Sequence, residues 1–217
     1  MELIWLGHSC FRLRGKDLAG KDVVAITDPY DKSVGYALGR PTAQIVTISH
    51  HHPDHDNVAG VSGKPIVIDG PGEYEVAGVY IHGLGTYHDA ENGKRQGKNT
   101  VYLMEINEVN VCHLGDLGHV LTPGQIEELG HVDVLLVPVG GGGSLSAAGA
   151  AETISLLEPK IVVPMHYRTD VVKQELDPLD KFAKEMGLKD ITPQPKLTIT
   201  KASLPQETRV MVLDYHR

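Results

Sequence analysis

Apolar positions along this chain fall mostly into short runs of five to eight residues, broken by Gly, Pro or Asp. Runs of that length rich in Val, Ile and Leu predict strands. Strands are expected over residues 2–6, 11–14 and 23–27, with a hairpin region over 15–20 between the second and third. Residues 43–48 form a buried β-branched run, and residues 65–69 a further short buried strand closed by Gly70-Pro71-Gly72. Residues 73–85 alternate well enough for one or two strands around Gly78. Residues 101–106 and 109–113 read as a hairpin with Asn107-Glu108 at its tip. Residues 132–139 and 161–165 are apolar throughout, which predicts central strands buried on both faces.

Helical signals are fewer. Residues 57–63 could form a short helix ending at Gly. Thr122-Pro123-Gly124-Gln125 opens a helix with Thr as N-cap, Pro in the first turn and Gln completing a capping box; Gly130 closes it. Ser144 or Ser146 caps a second helix, running through Glu158, whose apolar stripe is Ala147, Ala150 or Ala151, Ile154 and Leu157. Asp177-Pro178 starts a third, running through Met186 and closed by Gly187, and residues 192–214 hold one or two edge strands. Residues 86–100 are polar, Gly-punctuated and long, the mark of a functional or mobile loop. A strand-rich opening followed by alternating strands and helices makes this an α/β protein, and 217 residues suit one domain, 1–217.

Composition narrows the class. The chain is 41% hydrophobic and 22% charged, as soluble globular proteins are. No apolar run approaches the roughly 20 residues that span a bilayer, and the start reads as a strand rather than a signal peptide. A net charge of −8 argues against wholesale capture of a nucleic-acid backbone. Two cysteines, Cys10 and Cys112, make neither a C-x-x-C pair nor a disulfide framework. A reducing, cytoplasmic location is the expectation.

The chemistry gathers where the strand at 43–48 ends. Residues 49–57 read Ser-His-His-His-Pro-Asp-His-Asp-Asn, with four imidazoles and two carboxylates in nine positions. Both groups bind divalent cations. Pro53 makes continued strand pairing improbable, so the donors sit where a rigid strand gives way to a loop. In extended backbone, side chains two apart share a face. His50 and His52 can therefore hold one ion while His51 points elsewhere; Asp54 and His55, past the turn, can hold a second ion or the other side of the first. Asp28 upstream, and His88, Asp116 and His166 downstream, also lie at predicted strand ends, and His82 competes with His88.

The pattern His-x-His-x-Asp-His at 50–55 resembles the signature of the metallo-β-lactamase-fold superfamily. The Trp5-Leu6-Gly7-His8 start and the Pro164-Met165-His166-Tyr167 stretch resemble its small hydrolase branch, near the ascorbate-phosphate lactonases. The resemblance covers nearly the whole chain. It implies a four-layer αββα sandwich and two divalent metal ions, with His50, His52 and His88 on one, Asp54, His55 and His166 on the other, and Asp116 bridging. It gives Asp28 a supporting role behind the histidines. Imidazole-rich ligation makes zinc the first choice; manganese and iron stay open. The pattern keeps His55 and lacks the Glu replacement seen in the iron-containing, oxygen-reducing relatives, which argues against a redox di-iron role.

The activity implied is hydrolysis of a small-molecule ester, lactone or phosphoester by a hydroxide that the two metals activate, with Asp54 and Asp116 the catalytic carboxylates. A phosphodiesterase or nuclease of the same fold is the first rival, and a non-catalytic metal-binding protein the second. His8, His119 and Arg168 are candidate pocket residues. Lys94, Arg95 and Lys98 could meet an anionic substrate or simply solvate their loop, the second being the preferred reading. Oligomers occur in this branch, so a homo-oligomer is a further expectation.

Overall fold

The computed structural model describes residues 1–216. Two mixed sheets pack face to face. The first contains β1 (Glu2–Gly7), β2 (Cys10–Lys16), β3 (Asp22–Thr27), β4 (Ile45–Thr47), β5 (Ile66–Ile68) and, beyond β1, the late strand β12 (Leu197–Thr198). The second contains β6 (Gly72–Val76), β7 (Val79–Tyr87), β8 (Lys98–Ile106), β9 (Val109–His113), β10 (Val134–Pro138), β11 (Ile161–Met165) and β13 (Arg209–Val210), in the order β13-β11-β10-β9-β8-β7-β6. The main core lies between them, with Trp5, Phe11 and Leu13 of the first sheet and Ile81, Tyr102, Met104 and Val111 of the second fully or almost fully buried. Fully burying one such side chain contributes roughly 1.5–3 kcal/mol.

Three α-helices lie on the second sheet's side: α1 (Pro123–Leu129) against β7, α2 (Ala147–Leu157) against β10, and α3 (Leu179–Glu185) against α2. The capping box at Thr122 and Gln125 forms as expected. Ser146, not Ser144, caps α2, accepting from Gly149 N–H. Pro178 stands at the cap position of α3 and gives no side-chain bond; Asp177 instead pairs with Lys181 at 2.6 Å.

The outer face of the first sheet is covered by a second cluster in which Ile4, Leu6, Ile26, Val46 and Ile48 pack under Tyr30, Val34 and Tyr36 of the 28–44 loop. The helix expected at 57–63 is a single 3₁₀ turn, Val58–Gly60, without a side-chain cap. The segment expected as a buried strand at 65–69 is the edge strand β5, with Ile66 and Val67 exposed, because only β4 flanks it. Among the described residues, no helix is long and apolar enough to cross a membrane.

Strand direction decides where function can sit. β1 and β3 both run antiparallel to β2, and β4 runs parallel to β3. β7 and β9 both run antiparallel to β8, and β9, β10 and β11 are mutually parallel. Within each sheet, then, every strand leading into a candidate metal-binding residue runs the same way. Their C-terminal ends deliver His8, Asp28 and 50–55 from one sheet, and His88, Asp116 and His166 from the other, to one edge of the sandwich.

Candidate metal centre

The histidines from 50 to 55 follow β4 directly. The 50–55 turn is closed by His55 N–H and Asp56 N–H donating to His52 C=O, and Asn57 N–H donates to Pro29 C=O. His50, His52 and His88 place ligand-capable nitrogens within 4.8 Å of one another, and so do His8, His55 and His166. Asp116 stands between the two groups. Its Oδ2 lies 3.3 Å from His55 Nε2, 3.4 Å from His88 Nε2 and 3.2 Å from His166 Nε2. Asp54 Oδ2 lies 3.8 Å from His55 Nε2 and 3.4 Å from His8 Nε2, and accepts from Gln174 Nε2 at 2.5 Å.

Behind these groups sits an ordered second layer. Asp28 is fully buried; its Oδ2 accepts from His55 Nδ1 at 2.9 Å and from Ser49 Oγ at 2.5 Å, and its Oδ1 from Ser49 N–H at 2.8 Å. Ser49 Oγ in turn accepts from His50 Nδ1 at 2.9 Å. One carboxylate thus fixes two rings and leaves the Nε2 of each free to face the site, as metal-binding histidines require. Asn99 holds Asp116 N–H through its Oδ1.

The donor set fits divalent cations on this structure's own evidence. Among the described residues, the buried Nε2 atoms of His50 and His55 and both ring nitrogens of His8 have no hydrogen-bond partner. A buried polar atom without a partner costs on the order of 1–3 kcal/mol, so a cluster of them marks a place for something else to bind. Burial, and then the neighbouring His55, hold His50 down to about 3, keeping it neutral. Burial also lowers His8, to about 4, and His88. Neutral imidazole is the form a metal takes. For Asp116 burial opposes ionisation, yet His166 and His55 hold its carboxyl well below the usual range. At His55 burial opposes charge, but Asp116 and Asp28 overcome it and raise the ring well above its ordinary value.

Close backbone approaches frame the centre. At Gly115, φ is +58° and a Cβ would lie 2.4 Å from both Ser49 Cβ and Asn99 Oδ1. A Cβ at Gly140 would lie 2.2 Å from His166 C=O. The glycine run at 140–143 thereby lets the loop before α2 close over the histidines.

A cavity of about 240 Å³ opens on the cluster, lined by His52, Asp54, His88, Asp116 and His166 together with Gln96, Gln174 and Glu175. The loop carrying Gln96 is compact: Asp89 accepts N–H groups from Glu91, Gly93, Arg95 and Gln96. Those four bonds, against the opposing effect of burial, hold the Asp89 carboxyl down to about 2. Arg95 pairs with Glu91.

Of the looser sequence expectations, His8 is buried beneath His55 and His166, with ring centroids 4.9 and 4.4 Å away. His119 does not reach the cavity: its Nδ1 donates to Val120 C=O and the ring packs against Tyr87. Arg168 is exposed and also lies outside it, since its backbone N–H is tied to Asp177 C=O at the rim of the sheet. His82 is 3.6 Å from Glu128 in a separate groove of about 470 Å³ on the outer face of β6–β8; His88, six residues on, joins the cluster. Sequence reasoning missed Gln96, Gln174, Glu175 and the Ser49 relay. Only Asp89 left a legible mark, an Asp followed by turn residues and glycines.

A family profile described as "Beta-lactamase superfamily domain" matches residues 2–166. A UPF0173 protein of Pyrococcus furiosus is 31% identical over 210 residues, covering 86% of this chain and 90% of that protein. A UPF0173 metal-dependent hydrolase of Thermoplasma volcanium is 26% identical over 218 residues, covering 89% and 96%. Among solved structures, a candidate Zn-dependent hydrolase of the metallo-β-lactamase superfamily from Thermotoga maritima aligns with TM-score 0.78 and 39% identity, over 98% of this chain and 97% of that one. The chain therefore belongs to the β-lactamase superfamily, as a metal-dependent hydrolase of the metallo-β-lactamase fold.

Proposed function

We propose that this enzyme hydrolyses a small, uncharged carboxylic ester or lactone in the cytoplasm, using two divalent metal ions, zinc in the first place and manganese or iron otherwise. His50, His52 and His88 would hold one ion, Asp54, His55 and His166 the other, and Asp116 both. Once bound at these residues, such ions would supply Lewis acidity that lowers the pKa of a water and polarises a carbonyl. The observation that carries this reading is the position of Asp116 Oδ2, 3.2–3.4 Å from the Nε2 atoms of three histidines that arrive from three separate strand ends.

The protein's own groups divide the remaining work. Asp28 orients His55 directly and His50 through Ser49. Gln174 holds Asp54 Oδ2 toward the cavity, where that oxygen can orient the attacking water and accept its proton. Gln96 and Gln174 offer neutral amide donors and acceptors to the substrate, and the cavity volume limits it to a small molecule.

Among the described residues, the cavity is lined by imidazoles, carboxylates, amides, Leu176 and the backbone of Gly142, with neither Lys nor Arg. Phosphoryl groups are ordinarily met by Arg, Lys or backbone N–H nests; beyond the ions themselves, only the Gly142 backbone could serve here, so a phosphomonoester or a nucleic acid is the weaker reading.

The test combines elemental analysis of the purified protein with a panel of neutral esters, lactones, phosphomonoesters and phosphodiesters. About two ions per chain and hydrolysis concentrated on the neutral carbonyl substrates are expected. A preference for phosphodiesters would transfer the assignment to the nuclease-like class, and full metal loading with no turnover on any ester would favour a binding protein.

A further inference from the structure

His8 stands outside the donor set implied by the sequence pattern, yet its surroundings are those of a metal-binding residue. The side chain is fully buried, and neither ring nitrogen has a hydrogen-bond partner. His113 provides the contrast within the same core. It too is fully buried, but its Nε2 meets Ser9 C=O at 2.8 Å and its Nδ1 accepts from Gly115 N–H at 3.2 Å. That is how a histidine serving only the core is satisfied. His8 is left unsatisfied beside two others, with ring nitrogens of His8, His55 and His166 within 4.8 Å of one another and His8 Nε2 3.4 Å from Asp54 Oδ2.

The backbone is built to deliver the ring there. His8 has φ +54°, a conformation an L-residue adopts at a cost. Its carbonyl is gripped from two sides, by Trp5 Nε1 at 2.8 Å and by His166 N–H at 3.2 Å. The preceding Gly7 has φ +109°, and a Cβ there would enter the Tyr36 ring at 2.5 Å. A strained residue locked by two donors, with an unsatisfied buried side chain, is over-determined for some purpose other than packing.

We propose that His8 is a ligand of the ion held by His55 and His166, supplying an additional neutral imidazole to that position and making it richer in nitrogen than the sequence pattern implies. This rests on the two-ion reading above. The bound ion would satisfy the ring that the fold leaves without a partner. It would also couple the ion to β1, so that metal loading ties the first strand of one sheet to the last central strand of the other.

Calorimetric titration of zinc into metal-free protein separates the two claims. Binding of two ions per chain by the wild type, in two steps, tests the two-ion reading itself, and a stoichiometry of one would remove it without reference to His8. With two steps present, His8→Ala should weaken one of them by roughly tenfold or more, since even indirect partners of metal ligands are worth 10–100-fold in affinity, and leave the other within about twofold. His8→Gln, which keeps more of the volume, should do the same, and melting of the metal-free variants monitors folding. Adding His8→Ala to Asp54→Ala should still weaken that step, whereas a ring acting only through Asp54 would add nothing in this background. Two unchanged steps, equal weakening of both, or loss of the effect in the Asp54→Ala background would each overturn the assignment.

Discussion

Asp28 Oδ2 lies 2.9 Å from His55 Nδ1, with both side chains fully buried. The same carboxylate reaches His50 through Ser49 Oγ. Asp28 therefore sets the tautomer of two histidines from different positions of the 50–55 turn, and its removal should disturb both proposed ions. Asp28→Asn turns an acceptor into a partial donor facing His55 Nδ1. We expect metal affinity to fall about 10–100-fold, measured by competition against a chromophoric chelator. Ser49→Ala breaks only the His50 arm and should cost less, at one binding step. Equal effects from the two variants would mean that Asp28 does not act through separate arms.

Asp116 is the point at which the two histidine groups meet. Asp116→Ala removes the oxygen lying 3.2–3.4 Å from three Nε2 atoms. The expected result is about one ion per chain after dialysis in place of two, with hydrolysis reduced by more than about 100-fold. Elemental analysis beside a rate assay checks it. Retention of two ions would show that Asp116 does not bridge.

Much of the centre was legible from the sequence, and for one physical reason. A site fed by strand ends puts its donors just beyond the ends of strands, and His50, His88, Asp116 and His166 all lie there. The parallel runs at β10 and β11 were equally plain, because strands buried on both faces carry no alternation to blur them. What the sequence hid are contacts made only in three dimensions. Gln174 meets Asp54 across 120 residues of chain, from a stretch with no periodicity. His8 reads as a turn residue until β1 is known to end at the same edge as β11. The cover over the outer face of the first sheet was hidden for a related reason. Nothing in residues 28–44 signals a cover, and the apolar contacts of Tyr30, Val34 and Tyr36 take that role without regular structure.

Gln174 is expected to matter for rate more than for metal. Its Nε2 donates to Asp54 Oδ2 at 2.5 Å on the cavity wall. A hydrogen bond to a charged group contributes on the order of 1.5–3 kcal/mol, so Gln174→Ala should lower kcat/KM by about tenfold or somewhat more while two ions stay bound. Gln174→Lys adds a cationic side chain to a lining without Lys or Arg, and should shift the preference from neutral toward anionic esters. If the preference is unmoved, the lining's charge does not select the substrate.

Gly115 should tolerate no side chain. With φ at +58° and a would-be Cβ 2.4 Å from Ser49 Cβ and Asn99 Oδ1, Gly115→Ala combines left-handed strain with overpacking. The expected loss is about 2–4 kcal/mol, or roughly 5–15 °C in Tm for a chain of this size. Because the clash falls on Ser49 and Asn99, which support His50 and Asp116, metal affinity should fall with it. Scanning calorimetry with and without zinc checks both.

Asp133 offers a pH test remote from the metal centre. Its side chain is buried at the start of β10, where it accepts from Asn110 N–H at 2.9 Å, from Lys201 Nζ at 2.8 Å and from His131 Nε2 at 2.9 Å. Burial works against its charge, but Lys201, Asn110 and His131 together prevail and hold the carboxyl below its ordinary value. A carboxyl depressed in the folded state contributes stability that is present in full above the unfolded pKa of about 3.9. That contribution is lost as pH falls below this value and through the lower folded one. Asp133→Asn should therefore cost about 1–3 kcal/mol at pH 7, read from urea midpoints with an unchanged m-value. Below about pH 4 the wild type loses its advantage while the variant has none to lose, so the gap between them should narrow steadily toward pH 3. A gap that stays constant over that range would show that the ionised carboxylate is not what ties β10 to the Lys201 turn.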